Sequence, residues 1–135
     1  RDAARDDADA WQQVVRARRR LAKIPDAMPD QFRAVDAALL GASEVPMRIA
    51  RLATDVLALA SETASLGDRV TAPDTWTAAT IAHAAVSAAL GLLRSNLGML
   101  SDSTLGRSAH DAARALQHRA NELFDAIRLA VKHLA

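Results

Sequence analysis

Residues 74–100, DTWTAATIAHAAVSAALGLLRSNLGML, are apolar nearly all round a helical projection and hold no proline. No other feature limits the fold as strongly. Alanine and leucine supply the apolar surface, and both favour helix; strands draw on β-branched and aromatic residues. A helix without a polar face belongs at the centre of a fold, packed on all sides. Its alanines would let neighbouring helices approach closely.

The rest of the chain is punctuated to surround such a helix. Helical periodicity runs from about Asp2 to Lys23, and KIPDAMPDQ, with Pro25 and Pro29, interrupts it. A second helix is expected from Asp30 to Glu44, where Pro46 kinks or restarts it. Ile49, Leu52, Ala53, Val56 and Ala60 then repeat at three- and four-residue spacing, up to a stop at Gly67. After the SDSTLGRS loop, a last helix spans about Arg107 to Leu134. Ala109, Ala113, Leu116, Ala120, Leu123, Ile127, Ala130 and Leu134 share one of its faces. No segment alternates with period two. The expected fold is one all-α domain over residues 1–135, an antiparallel helical bundle with long, partly kinked helices.

Composition narrows the function classes. Seventeen basic and sixteen acidic side chains leave a net charge of +1, and aromatics are 3% of residues. That is no basic, aromatic-lined surface for nucleic acid. The absence of cysteine excludes disulfides, thiolate nucleophiles and Cys-type zinc sites. By this reading no apolar run reaches the roughly 18 residues of a membrane span, and no signal peptide is visible. The expected setting is cytoplasmic, with no membrane or nucleic-acid partner.

The opening stretch, RDDADAWQQVVRARRR, sorts its charges by face. The apolar stripe expected for the first helix is Ala4, Trp11, Val14, Val15, Leu21 and Ala22. Asp7 falls on it, three residues after Ala4 and four before Trp11, and so does Arg18. Asp9, Arg16 and Arg20 take the solvated face, and Asp6 is marginal. A carboxylate facing inward needs an ion-pair partner or a wet cavity. Spacing alone leaves Asp7 open between a structural pair and a site.

Five segments in order carry a resemblance: DADAW (7–11), ARRRLAK (17–23), ASEVPMRIARLATDVLAL (42–59), GDRVTAPDTWTAATIAHAA (67–85) and RSNLGML (94–100). Together they resemble the cyclodeaminase/cyclohydrolase family, which includes formiminotransferase-cyclodeaminase and methenyltetrahydrofolate cyclohydrolases. The resemblance implies a helical bundle that dimerises and binds a tetrahydrofolate derivative, as substrate, at or near the subunit interface. It implies that Asp7 is the acid of an Asp-x-x-Ala-aromatic motif acting in proton transfer. Pro46 then corresponds to a helix-kinking proline, Gly67 and Asp74 to a turn opening the central helix, and Asn96 to the second asparagine of a pair. Asp68, Pro73 and Leu92 stand where family members carry Asn, Ser and Asn. Members also have a Gly-Gly-Gly-Ser segment and a helix ahead of the Asp-x-x-Ala-aromatic motif. The domain expected here lacks that helix.

For such a substrate the implied chemistry is water attack on the amidinium carbon of 5,10-methenyltetrahydrofolate. One carboxylate, Asp7, can take the proton from water and return it to nitrogen. Expulsion of ammonia from a formimino derivative makes a similar demand. With no formiminotransferase domain in the sequence, the cyclohydrolase is the first expectation. Folate's glutamate carboxylates suit arginine. Arg18 is the first candidate, with Lys23 and Arg19 beside it, although the latter two also fit plain solvent exposure. Asp74 fits both a helix N-cap and a ligand contact. Trp76, Thr80, His83 and Ser87 form a semi-polar line that is either a pocket wall or packed polar groups. His110 with Arg114, and His118 with Glu122, read as surface pairs, and no metal site is expected. The competing expectation is a non-catalytic relative that kept the bundle as an interaction or assembly protein.

Overall fold

The computed structural model describes residues 2–25 and 28–134, with the side chains of Pro29 and Leu134 excepted. Residues 26 and 27 of the expected break, and the Leu134 side chain expected on the last helix's face, lie outside the described set. Among the described residues, four long helices joined by short turns build an all-α bundle: α1 (Ala3–Leu21), α2 (Arg33–Ser65), α3 (Ala72–Leu97) and α4 (Arg107–Leu134). Short 3-10 turns at Pro29–Phe32 and Ser103–Gly106 lead into α2 and α4. Among the described residues there is no strand.

Local chemistry sets the ends. Asp2 caps α1 by accepting from the Ala4 N–H at 3.2 Å. Arg18, Arg19 and Arg20 in its last turn suit the negative end of the helix dipole. Before α2, the Met28 N–H donates to the Gln31 side chain at 2.7 Å. Between α2 and α3, Gly67 turns the chain at φ +71°, and the Asp68 carboxylate accepts from the Val70 N–H at 2.9 Å. No atom would obstruct a Cβ at Gly67, so only the backbone conformation resists a side chain there. Gly67→Ala is therefore expected to cost about 1 kcal/mol in urea denaturation.

α2 is one helix of 33 residues, continuous through Pro46 rather than ending at Glu44. It lies antiparallel to α3, and the two share the largest interface of the fold. Small residues make it close: Ala50, Ala53, Ala60 and Ala64 of α2 bury with Ala79, Ala82 and Ala89 of α3. Leu57, Val86, Leu90 and Leu93 fill the layer at 0% exposure, and Ile127 of α4 seals it. The expected inward face of α4 holds at Ala113, Ala120, Leu123 and Ile127, all buried. A smaller cluster, Val14, Val35, Leu39 and Ala42, fastens α1 to the first half of α2.

The apolar pattern overstated burial in two places. α3 is packed on the sides facing α2 and α4, but Ile81 and Leu92 on its remaining face are 66% and 58% exposed. On α2, Leu52, Val56 and Leu59 are likewise exposed. Leu52 and Leu59 repeat the position of buried Val45 at seven-residue spacing, so they continue the face covered at Val45. The reading of membrane-span length also needs correction. α3 contains an 18-residue window of mean hydropathy 1.4, long and apolar enough by composition to cross a bilayer. Its many alanines score as apolar without being bulky.

Candidate active site

The inward line of α1 keeps Val14 and Leu21 of the expected stripe but leaves Ala4, Trp11 and Ala22 exposed. Ala3, Asp6, Ala10, Val14, Ala17 and Leu21 face α2, and Ala4 is exposed. Alanines at positions 3, 10 and 17 recur every seven residues and let the helix settle close to α2. The indole of Trp11 does not fit there, so its line of residues moves to the flank. Trp11 stays 41% exposed. Asp6, marginal by spacing, is the half-buried acid, and it accepts from Arg48 Nη2 at 2.8 Å. Asp7 is exposed and, among the described residues, has neither an ion pair nor a hydrogen bond.

That flank borders a cleft of about 230 Å³ lined by Asp7, Trp11, Ala42, Pro46, Leu92, Ser95, Asn96 and Met99. Three helices meet here because each contributes a special position. α1 offers its flank, α2 the turn around Pro46, and α3 its last turn. Proline lacks an N–H, so the Ala42 carbonyl four residues earlier loses its helical donor. Asn96 replaces it, donating from Nδ2 to the Ala42 oxygen at 3.2 Å. α2 thus runs unbroken through Pro46 with that carbonyl satisfied. Within α2, Ser43 and Thr54 each donate a hydroxyl to the carbonyl four residues back at 2.8 Å, which satisfies these two buried side chains.

Arg18 stands at the edge of the same cleft, its Nη2 3.0 Å from the sulfur of Met99. Asp7, Trp11 and Arg18 thus form a line along α1 about 16 Å long, acid at one end and guanidinium at the other. Lys23 and Asp74 are not brought to this cleft within one chain. Lys23 is exposed in the turn beyond α1. Asp74 is exposed in the first turn of α3, 22 residues before Asn96 and so about 33 Å away along the helix. Nor is Asp74 the N-cap: α3 starts at Ala72, with Thr71 in the capping position. As the third residue of the helix, its charge still favours the dipole.

One buried acid escaped sequence reasoning. Asp36 is 4% exposed and binds Ser101 twice, accepting from its N–H at 2.8 Å and from its hydroxyl. It ties the start of α2 to the loop that follows Met99, a residue of the cleft wall. Its signal was an acid three residues before Leu39 and seven before Ser43, on the stripe that buries. One residue on, Asp102 accepts from the Thr104 hydroxyl at 2.6 Å and the Thr104 N–H at 2.9 Å. Those two bonds, the hydroxyl's foremost, hold its carboxyl below the usual range.

Other candidates resolve as packing or surface. Trp76 and His83 stack on Phe124 of α4 at 5.1 and 4.4 Å, and His83 Nε2 bonds Asn121 Oδ1 at 2.9 Å. His118 pairs with Glu122 at 3.3 Å, whereas Arg114 pairs with Asp111 rather than His110. A larger groove, about 560 Å³, lies on the other flank of α1 beside Arg16, Arg20 and Arg33. Asp30, the acid on its wall, pairs with Arg33 at 2.7 Å on the open surface. Among the described residues no three His, Asp or Glu side chains converge as a metal site.

The fold and cleft define an all-helical domain with a small site between three helices, bordered by a carboxylate that has no partner among the described residues. Residues 1–115 match the family model described as formiminotransferase-cyclodeaminase, and the chain belongs to that family, a folate-related one. The match runs from α1 into α4 and includes every residue of the cleft wall. No curated protein matches the chain significantly.

Proposed function

We propose that this chain is a folate-dependent one-carbon enzyme, a methenyltetrahydrofolate cyclohydrolase, with Asp7 as its acid–base group. The observation that carries the reading is the order of groups beside the cleft: carboxylate, indole, guanidinium on one line of α1. A 5,10-methenyl folate has the matching order. Its cationic ring would meet Asp7, its aromatic middle Trp11, and its glutamate carboxylates Arg18. Water attacks the amidinium carbon and Asp7 takes a water proton as the C–O bond forms. Asp7 then gives that proton to the ring nitrogen as the C–N bond breaks. The adduct's hydroxyl proton leaves to solvent, giving the neutral formyl product. No metal enters these steps.

The domain is further proposed to act as a homodimer through the open apolar face of α2 and α3. Leu52, Val56, Leu59, Ile81 and Leu92 are more apolar surface than a lone helix pair needs to show. Asp74 lies on the same face as Ile81, seven residues away. If two α3 helices cross antiparallel near Ala84 and Ala85, each copy's Asp74 falls opposite the other copy's Ser95, on the cleft wall. That arrangement gives Asp74 a place in the site. The setting is proposed to be cytoplasmic, with no nucleic-acid or membrane partner.

A second reading, a non-catalytic assembly protein, draws on Leu92: an apolar side chain lines the cleft where the resemblance implies a polar one. Thermal unfolding separates the two. At a hundredfold excess over Kd, 5-formyltetrahydrofolate should stabilise the enzyme by about 2.7 kcal/mol, and Arg18→Ala should weaken that effect. Light scattering should give twice the 14.4 kDa chain mass. An unshifted melting temperature in saturating reduced folate would refute the folate reading.

A further inference from the structure

We propose that the Asp7 cleft is selective for a flat amidinium cation, and that Pro46 enforces the selectivity by fixing which way the Asn96 amide points. The inference rests on the folate reading and specifies what its cleft recognises.

Pro46 leaves the Ala42 carbonyl without its helical donor, and a carbonyl oxygen can only accept. The Asn96 arm at 3.2 Å from it is therefore Nδ2. The opposite arm, Oδ1, is turned away from Ala42, and among the described residues it has no partner. Asn96 lines the cleft, so that oxygen is available to a bound molecule. A free asparagine could rotate its amide to serve donors and acceptors alike. This one cannot do so without orphaning the Ala42 oxygen.

The cleft then offers the Asp7 carboxylate and Asn96 Oδ1 as acceptors, beside the Ser95 hydroxyl, which can donate or accept. Trp11 gives it an aromatic wall and Pro46, Leu92 and Met99 an apolar one. An amidinium presents N–H or polarised C–H donors, carries positive charge, and is flat. A neutral amide of the same shape brings no charge to Asp7 and has a carbonyl oxygen in place of one donor arm, so it meets these acceptors less well. A volume of about 230 Å³ suits a single ring and its cationic group, not a whole folate.

Benzamidine and its neutral isostere benzamide test this without catalysis. Titration by NMR or calorimetry should show benzamidine binding at least tenfold tighter to the wild-type protein. Asn96→Leu should reduce the ratio about fivefold. Pro46→Ala is the sharper test, because it restores a helical N–H to the Ala42 oxygen and frees the amide to rotate. It should raise the melting temperature by several degrees yet lower the selectivity ratio, which a merely structural role would not do. The stabilities should also couple: Asn96→Leu should cost several degrees in the wild-type background and much less beside Pro46→Ala. A wild-type preference that survives both substitutions unchanged would overturn the role of Asn96 and leave the cleft reading standing. Equal binding of the two probes, or binding of neither, would overturn both.

Discussion

Replacing Asp7 with asparagine is expected to slow loss of the methenyl chromophore about a thousandfold, the usual contribution of a positioned acid–base group. Asparagine keeps the shape and can neither take nor return a proton. The fold should not notice. Asp7 is exposed and has no partner among the described residues, so the variant should melt within about 0.5 kcal/mol of wild type. Asp6→Asn is the control. Asp6 is bound to Arg48 on the inward side of α1 and does not line the cleft. It should alter stability slightly and leave the chemical step nearly intact. If the two aspartates exchange these behaviours, the assignment of the acid is wrong.

The largest expected loss of stability comes from Asp36. Its carboxylate is buried, and both Ser101 bonds are charge-assisted. Asp36→Ala removes them and leaves a small void at the head of α2. A loss of about 2–3 kcal/mol is expected, or roughly 10 °C in melting temperature for a domain of this size. Ser101→Ala should cost less, because the Ser101 N–H can still donate to the carboxylate. The two losses should not add, since they remove one shared interaction. The effect should also reach function. The Ser101 loop follows Met99, the residue that meets both the cleft and Arg18. Binding of a reduced folate should therefore weaken even at temperatures where Asp36→Ala is folded.

The helices were legible because proline, glycine and aspartate act locally. Gly67 supplies the positive φ of its own turn, and Asp2 caps α1 with its own side chain. Faces were less legible, because burial depends on which neighbour arrives. Leu52, Val56 and Ile81 carry an apolar period that none of the described helices covers. On α1, bulk pointed to Trp11 where close approach needed Ala3, Ala10 and Ala17. That shift of one line moved Asp6 inward and left Asp7 facing a cleft. Asp36 escaped because an acid in the first turn of a helix already has a reason to be there. Its true partner lies 65 residues away. Asn96 could be flagged by resemblance, but its tie to Pro46 required knowing that α3's last turn meets the middle of α2.

The central claim is that this cleft turns over a cyclic amidinium, and absorbance decay of 5,10-methenyltetrahydrofolate at neutral pH tests it most directly. Wild-type protein should accelerate the decay well beyond buffer and saturate with substrate, with Asp7→Asn returning the rate close to the uncatalysed one. A wild-type rate equal to buffer, from protein that is folded and dimeric, would contradict the account.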